Sequence, residues 1–247
     1  MTESTDQHRR TFLTGEWRYL AMLNYRVDAA VLAPHVPSGV ELDTWRGEAL
    51  VSVVGFRFLN TRLLGVPALF HRHFPEVNLR FYVRREIGGE VRRGVTFVRE
   101  IVPRPAIAAT ARLLYNEPYV ALPMQVSAPT GPGQTPGRVV YAWQSGGGWN
   151  HMALRPTGEP QPLAEGSEEQ FITEHYWGYT RQRDGGTTEY QVAHPRWRVW
   201  QAVEAEFCCD VAGLYGPQFV EALSSPPTSA FLADGSEIAV YMPRRVA

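Results

Sequence analysis

One segment of the chain carries a carboxylate, an amide, a guanidinium and a phenol at alternate positions, namely Glu76, Asn78, Arg80 and Tyr82. Successive side chains of a β-strand point to opposite faces, so these four share one face. An arginine can hold a carboxylate through two parallel hydrogen bonds, and a nearby glutamate can carry a proton. The pattern predicts a cleft in which Arg80 and Asn78 bind a small carboxylate or carbonyl compound, Glu76 acts as acid or base, and Tyr82 is a secondary proton donor. A face that simply meets solvent is the alternative interpretation.

His194 is a second candidate for proton transfer. Histidine titrates near neutral pH, and the adjoining Pro195 restricts the backbone at this point. We expect His194 to act as a general acid or base in the same cleft if the protein is an enzyme. A hydrogen-bonded histidine at the start of a strand is the alternative.

A metal site is a separate hypothesis. His71 and His73 precede Glu76 with a spacing similar to the first motif of the cupin metal enzymes. The gap from histidine to glutamate is at least one residue shorter, Pro75 interrupts the strand, and no second motif supplies a further histidine. A metal-dependent, cupin-like enzyme using His71, His73 and Glu76 therefore stays an alternative, whereas the leading interpretation assigns neither a metal nor a cofactor.

The composition narrows the chemistry further. The chain has 247 residues with a net charge of −1, and all 24 of its basic residues are arginines. The absence of lysine excludes a lysine Schiff base, covalently bound pyridoxal phosphate and a P-loop lysine. Because the 24 basic and 25 acidic residues are spread along the chain, no strong field would attract nucleic acid.

The start of the chain and its cysteines indicate a cellular location. Residues 1–15 are polar, and no run of apolar residues is long enough for a membrane span, so we expect a cytoplasmic protein. The two cysteines are the adjacent Cys208 and Cys209. Without metal-binding or redox spacing, they are predicted to be buried small apolar residues in a reducing compartment.

The remaining patterns are typical of a sheet-dominated fold, with short apolar and aromatic segments between Gly, Pro and Asp. Strands are predicted over residues 17–26, 49–58, 77–85, 91–102, 119–127, 138–144, 149–155, 187–192, 198–209 and 237–242. Tight hairpins are predicted at residues 87–90 and 146–148, where glycines accept the positive φ of a short turn. The proline-rich segments 128–137 and 156–166 are predicted to be loops.

Helices are predicted over residues 28–35, 105–115, 167–183 and 217–223. Asp28 is an N-cap for the first, and Ser167 with Gln170 forms a capping box for the third. Apolar and aromatic side chains recur every three or four residues in the third segment, so that face should pack on the sheet.

Four segments together resemble a known family: residues 17–26 with 34–43, residues 47–58 with Arg62, residues 74–83, and residues 171–179. They resemble the YqjF-like family of uncharacterised conserved proteins, which is grouped with acetoacetate decarboxylase. The Glu-x-Asn-x-Arg strand is the most distinctive part. The resemblance implies an α+β, predominantly antiparallel fold in which a curved, barrel-like sheet encloses a cavity and a few helices pack outside.

The resemblance does not imply a known reaction. Acetoacetate decarboxylase forms an imine through a lysine, and this chain has no lysine. What the resemblance implies is the cavity, with Glu76 similar in placement to a carboxylate of the decarboxylase pocket and with Arg80 or Arg26 able to receive a carboxylate or enolate.

The leading hypothesis is thus a single acetoacetate decarboxylase-like domain over residues 1–247, with residues 1–15 flexible. It binds a small molecule and, as an enzyme, would be a lysine-independent lyase or hydrolase. A non-catalytic ligand binder or sensor is the alternative from another class. Unpaired sheet edges favour a homodimer, and neither nucleic acid nor a membrane is an expected partner.

Overall fold

A computed structural model describes residues 10–129 and 136–246. The strands are β1 (Thr11–Val27), β2 (Glu41–Leu42), β3 (Ala49–Leu63), β4 (Val66–Pro67), β5 (Phe74–Ile87), β6 (Glu90–Val102), β7 (Tyr119–Ala121), β8 (Met124–Ser127), β9 (Val139–Ser145), β10 (Gly148–Pro162), β11 (Trp177–Arg181), β12 (Thr187–Ala193), β13 (Arg198–Cys208), β14 (Ser229–Tyr241) and β15 (Arg244–Arg245). The helices are α1 (Ala29–Leu32), α2 (Pro105–Leu114), α3 (Glu168–Thr173), α4 (Val211–Leu214) and α5 (Val220–Leu223), with 3-10 turns at Ala33–His35 and Pro217–Phe219. In this part of the chain no helix is long and apolar enough to cross a membrane.

Seven strands form a closed ring. Their order is β12, β11, β6, β5, β3, β1 and β14, and β14 pairs back with β12 at Val192↔Val240 and Ala193↔Ala239. The neighbouring pairs are antiparallel except for β11 and β6, which run parallel over Trp177↔Gly94 and Gly178↔Val95. The predicted predominantly antiparallel, curved sheet is confirmed.

A second layer covers one side of the ring. From β14 the sheet continues through β13, β10, β9 and β8, and the side chains of these strands pack against the outer face of the ring. Val77 and Leu79 of β5, for example, lie in the same apolar cluster as Tyr141 and Trp143 of β9. Alternate residues of β5 point to the inside of the ring instead. Both faces of the central strands are therefore buried.

The prediction of the third helix, over residues 167–183, is wrong beyond the first turns. Ser167 does cap a helix, accepting a hydrogen bond from the backbone N–H of Gln170, but α3 ends at Thr173. Trp177–Arg181 is instead strand β11, which pairs with both β6 and β12. Aromatic residues at helical spacing do not distinguish a helix from a strand that is buried on both faces. The tertiary pairing that closes the ring outweighs the local pattern.

Other predictions hold with adjusted ends. Asp28 caps α1 through its side chain, and Ile87 and Glu90 pair across a turn of two glycines with positive φ. The segment 156–166 is not a loop throughout, because β10 continues to Pro162. Beyond Leu154, β13 is the one strand of the described residues that pairs with β10. Such an edge position tolerates proline, which has no N–H to donate.

The predicted strand 119–127 is divided into β7 and β8, which pair with different neighbours, β6 and β9. β1 begins at Thr11, so residues 11–15 belong to the sheet rather than to a flexible start. Most of the predicted loop 128–137 lies outside the described residues. Cys208 is exposed, which contradicts the prediction of a buried pair, because it ends β13 at the surface.

Candidate functional site

The ring encloses a cavity of about 400 Å³, and every one of its seven strands contributes to the wall. The wall is mainly aromatic and aliphatic. Its polar members include Glu76, Asn78, Arg80, Glu100, Glu117, Tyr119, His175, Tyr190 and His194. Leu69, which is 73% exposed, and residues of α2 line the cavity near the surface and mark its mouth. An apolar pocket with a few convergent polar groups is typical of a small-molecule site.

Arg80 is the only arginine among the described residues of the wall. One terminal nitrogen donates to the carbonyl oxygen of Ile172 at 3.3 Å, and the same nitrogen lies 4.0 Å from the sulfur of Met22. Its Nε is buried without a partner, and no carboxylate of the described chain forms an ion pair with it. The cavity therefore contains a cation that forms no direct ion pair with a carboxylate of the described residues.

Glu76 lies on the same strand as Arg80 and is 2% exposed. Asn78 donates through Nδ2 to its Oε1 at 3.1 Å, and the Tyr119 hydroxyl donates to its Oε2 at 2.9 Å. Burial raises the pKa of Glu76 from its usual 4.5 to about 7, although both hydrogen bonds and the charge of Arg80 oppose the rise. A carboxyl group with this pKa can exchange a proton near neutral pH.

Two further buried carboxyl groups, which sequence reasoning missed, share the cavity. Glu100 faces Asn78 directly across β5 and β6, and Glu117 follows α2. Glu117 accepts hydrogen bonds from Thr180 at 2.5 Å and from Tyr190 at 2.9 Å. Burial, reinforced by the neighbouring negative charges, raises the pKa of both carboxyl groups, that of Glu117 to about 7.

Signals for these two glutamates in the sequence are weak. Glu100 does fall within a predicted strand, but a bulge opposite Leu79 and Arg80 changes which residues of β6 face inward. Glu117 lies between elements, where no periodic pattern assigns it to a face.

His194 lies on the cavity wall, as does Arg80. Its ring stacks on Trp197 with centroids 4.2 Å apart, and its Nδ1 lies 2.9 Å from the carbonyl oxygen of Pro195. Since a carbonyl oxygen only accepts, Nδ1 carries the hydrogen and Nε2 carries the lone pair. Burial, together with the charge of Arg80, lowers the pKa of His194 to about 4.

His175 is a second buried histidine, which the sequence marks only as one residue of the predicted helix face. Its Nε2 lies 3.1 Å from Oδ2 of Asp43, which also accepts from Nε of Arg93 at 2.6 Å. Burial lowers the pKa of His175 to about 4 against the hydrogen bond to Asp43, with the charges of Arg93 and Arg80 acting in the same direction as burial. The imidazole is therefore neutral at physiological pH.

Two predicted site residues lie elsewhere. Tyr82 is buried on the inner face of β5, with its hydroxyl 2.5 Å from that of Ser52, and it does not line the cavity. Arg26 is exposed and pairs with Glu48 outside the cavity. The structure thus brings Glu76, Asn78, Arg80 and His194 together on the wall. Tyr82 lies behind the lining, with its ring centroid 5.7 Å from the guanidinium carbon of Arg80, and Arg26 lies outside the cavity.

The residues of the metal hypothesis are not assembled either. His71 is at the mouth of the cavity, with Nδ1 bonded to the carbonyl oxygen of Leu69, and His73 accepts from the backbone N–H of Asn60. Both oxygens of Glu76 already accept hydrogen bonds deeper in the ring. In residues 10–129 and 136–246, no three His, Cys, Asp or Glu side chains are grouped so that they could hold a metal ion.

The closed ring and its internal cavity define the acetoacetate decarboxylase-like fold. An acetoacetate decarboxylase from Legionella pneumophila matches with a TM-score of 0.65 and 12% identity, covering 100% of this chain and 92% of that one. The enduracididine biosynthesis enzyme MppR complexed with pyruvate matches with a TM-score of 0.66 and 13% identity, covering 99% and 93%. At these identities the likeness establishes the fold alone.

The sequence assigns the chain to one family. The model of DUF2071, a family described as an uncharacterized conserved protein, matches residues 14–237, and the chain belongs to this family. The protein YqjF of Bacillus subtilis is 29% identical over 191 residues, which is 77% of this chain and 75% of YqjF.

Proposed function

We propose that the ring cavity binds a small carboxylate or carbonyl compound and that Glu76 transfers a proton to or from it in a lysine-independent reaction of the lyase or hydrolase type. The observation that carries this proposal is the guanidinium of Arg80, which is inside the cavity without a carboxylate partner among the described residues. A partly buried cation is costly unless an anion compensates it. A bound carboxylate would supply that anion through two parallel hydrogen bonds.

The rest of the wall suits the same class of ligand. Phe56, Phe58 and Phe97 offer apolar surface, so the ligand would combine an acidic group with an apolar part. The structural neighbour MppR is complexed with pyruvate, a small 2-oxo acid. That likeness agrees with an acid-binding cavity but assigns no reaction.

Glu76 is the group proposed to carry the chemistry. Its raised pKa allows it to accept a proton from a ligand carbon or oxygen and to return it. Asn78 and Tyr119 fix both of its oxygens, so the carboxyl group is held in one orientation. His194 would be a secondary group through Nε2, which carries the lone pair.

The binding step is tested by calorimetric titration with hexanoate. We expect hexanoate to bind the wild type and to lose at least tenfold in affinity in Arg80→Leu, because the charged hydrogen bonds are lost. Arg26→Leu is the matched control, since Arg26 is outside the cavity, and it should bind as the wild type does. Equal losses in both variants, or no binding by the wild type, would remove Arg80 from the proposed site.

The chemical step is tested with 2-oxohexanoate in D₂O. If Glu76 exchanges protons with a bound ligand, the protein should accelerate incorporation of deuterium at carbon 3, as followed by proton NMR. Glu76→Gln should abolish the acceleration while retaining hexanoate binding. Binding of both acids without any exchange would instead favour the non-catalytic ligand binder.

We also propose a homodimer, because one edge of β8 pairs with no other described strand and Val66, Leu69 and Phe70 are exposed near the mouth of the cavity. Native mass spectrometry at micromolar concentration tests it. A mass of one chain at every concentration would argue for a monomer.

A further inference from the structure

Six buried side-chain atoms of the cavity wall have no hydrogen-bond partner in the described structure: Trp17 Nε1, Thr61 Oγ1, Asn78 Oδ1, Arg80 Nε, Glu100 Oε2 and His175 Nδ1. Two of them matter most for a ligand, namely Nε of Arg80, which can only donate, and Nδ1 of His175. Both residues belong to the cavity wall. A buried polar atom without a partner destabilises the protein, so such atoms in a cavity wall are candidates for ligand contacts.

The structure fixes which form of His175 is present. Burial alone would raise the pKa of Asp43, but hydrogen bonds from His175 and Arg93 outweigh it and lower the pKa below its usual value. The ionised Asp43 oxygen can only accept, so Nε2 of His175 carries the hydrogen. Nδ1 consequently presents a lone pair and requires a donor.

The described surroundings of His175 hold its ring in place but give Nδ1 no donor. The ring lies against Tyr82 and Phe171, with centroids 4.7 Å and 5.1 Å away. The positive charge of Arg80 acts on the imidazole, but no hydrogen bond joins the two side chains in the described structure. Among the described residues, the site therefore combines a guanidinium that has no ion-pair partner, on Arg80, with a hydrogen-bond acceptor that has no donor, on His175.

The other four unpartnered atoms of the wall differ from His175 Nδ1. Trp17 Nε1 only donates, and the Thr61 hydroxyl can donate as well as accept. Asn78 Oδ1 and Glu100 Oε2 are also without partners, but these side chains face each other across β5 and β6. Burial raises the pKa of Glu100, which favours the protonated carboxyl group, and that form has a hydrogen to donate. His194 already has its Nδ1 hydrogen on Pro195. His175 Nδ1 is thus the acceptor that most requires a ligand hydrogen.

We infer that the ligand is a hydroxy acid, whose carboxylate lies on the guanidinium of Arg80 and whose hydroxyl donates a hydrogen bond to Nδ1 of His175. This inference rests on the proposed function and narrows it to one ligand class. A single small molecule with an anionic group and a neighbouring hydroxyl satisfies both orphaned atoms at once. Asp43 and Arg93 act as positioning residues, because they fix the tautomer that accepts.

The test is a calorimetric comparison of hexanoate, 2-hydroxyhexanoate, 3-hydroxyhexanoate and 2-methoxyhexanoate with the full-length protein. We expect one of the hydroxy acids to bind about three- to tenfold more tightly than hexanoate, the range of one net hydrogen bond. The methoxy acid has no hydrogen to donate and should bind no better than hexanoate.

The variant His175→Phe should abolish the extra affinity for the hydroxy acid, while its affinity for hexanoate should stay within about threefold of the wild type. His71→Phe is the matched control, since the same change is made at a histidine at the mouth of the cavity, and it should keep the gain. A gain that survives in His175→Phe would overturn the inference.

A measurement on the unaltered protein covers the case in which His175→Phe does not fold. The ¹⁵N resonance of His175 Nδ1 should move upfield on adding the tighter hydroxy acid and should stay in place on adding hexanoate. If hexanoate binds through Arg80 and no hydroxy acid binds better or moves this resonance, the inference fails and the proposed function stands. If none of the acids binds, both fail.

Discussion

The hydroxyl of Tyr119 donates a hydrogen bond to Oε2 of Glu76 over 2.9 Å, which links a residue 43 positions further along the chain to the carboxyl group at the centre of the cavity. Tyr119 is in β7, which pairs with β6 at Glu100, so the two side chains meet across an intervening strand. Burial, reinforced by the charges of Glu100 and Glu76, raises the pKa of Tyr119, so this phenol stays protonated and acts as a donor.

Removing that hydroxyl should destabilise the protein through Glu76. Tyr119→Phe leaves Oε2 without a donor, and we expect the free energy of unfolding in urea to fall by about 1–3 kcal/mol. In a double-mutant cycle with Glu76→Gln the effects should be non-additive by about 1 kcal/mol. Tyr115→Phe is the control, because its hydroxyl bonds to Tyr241 and it should combine additively with Glu76→Gln. Additivity in both cycles would mean that the hydrogen bond contributes nothing.

Glu76 should also make stability depend on pH. Its pKa is about 7 in the folded protein and near 4.5 when unfolded, so the folded state binds more protons between these values. The wild type should therefore lose stability relative to Glu76→Gln as the pH rises from about 4.5 to about 7, by a total of about 1–3 kcal/mol. Urea titrations of both proteins across this range measure the difference. A difference that is constant with pH would contradict the raised pKa.

Replacing Arg80 should not destabilise the ligand-free protein. The guanidinium is partly buried and forms no direct ion pair with a carboxylate of the described residues, so Arg80→Leu removes a charge that is only weakly compensated. We expect the free energy of unfolding to be unchanged or to increase by about 1 kcal/mol. Arg26→Leu removes only an exposed ion pair and should change stability by less than about 1 kcal/mol. A large loss of stability confined to Arg80→Leu would show that Arg80 has a structural role.

Closure of the ring should be sensitive to Gly94. A Cβ at this position would lie 2.6 Å from the backbone oxygen of Trp177, within the parallel pairing of β6 and β11. Because a backbone oxygen cannot move aside cheaply, Gly94→Ala should cost about 1–3 kcal/mol or more and weaken hexanoate binding. Gly148→Ala is the control, because an added Cβ there would have no atom of a non-adjacent described residue within 4 Å. Thermal unfolding measures both, and equal effects would contradict the assigned pairing.

The adjacent cysteines should react unequally. Cys208 is exposed, whereas burial, with Asp210 and Cys208 nearby, raises the pKa of Cys209 to about 12. Iodoacetamide at pH 8 should therefore add one label per chain, counted by intact mass. Cys208→Ser should prevent the labelling and Cys209→Ser should not, and the opposite pattern would reverse the assignment.

Local sequence determined the features that depend on neighbours in the chain. Period-two alternation placed Glu76, Asn78 and Arg80 on one face of β5, and the glycines of the hairpin after Ile87 required its positive φ. The composition by itself excluded lysine chemistry, because the chain contains no lysine. These conclusions need no knowledge of distant contacts.

Only the tertiary structure decided which residues surround this face of β5. Parallel pairing with β6 turned Trp177–Arg181 from an apparent helix into the strand that helps close the ring. Closure brought Glu100, Glu117 and His175 to the cavity from separate elements, and left Tyr82 and Arg26 outside its lining. The physical reason is that strand pairing joins residues far apart in sequence. Periodicity, in contrast, predicts only which side chains share a face of one helix or strand.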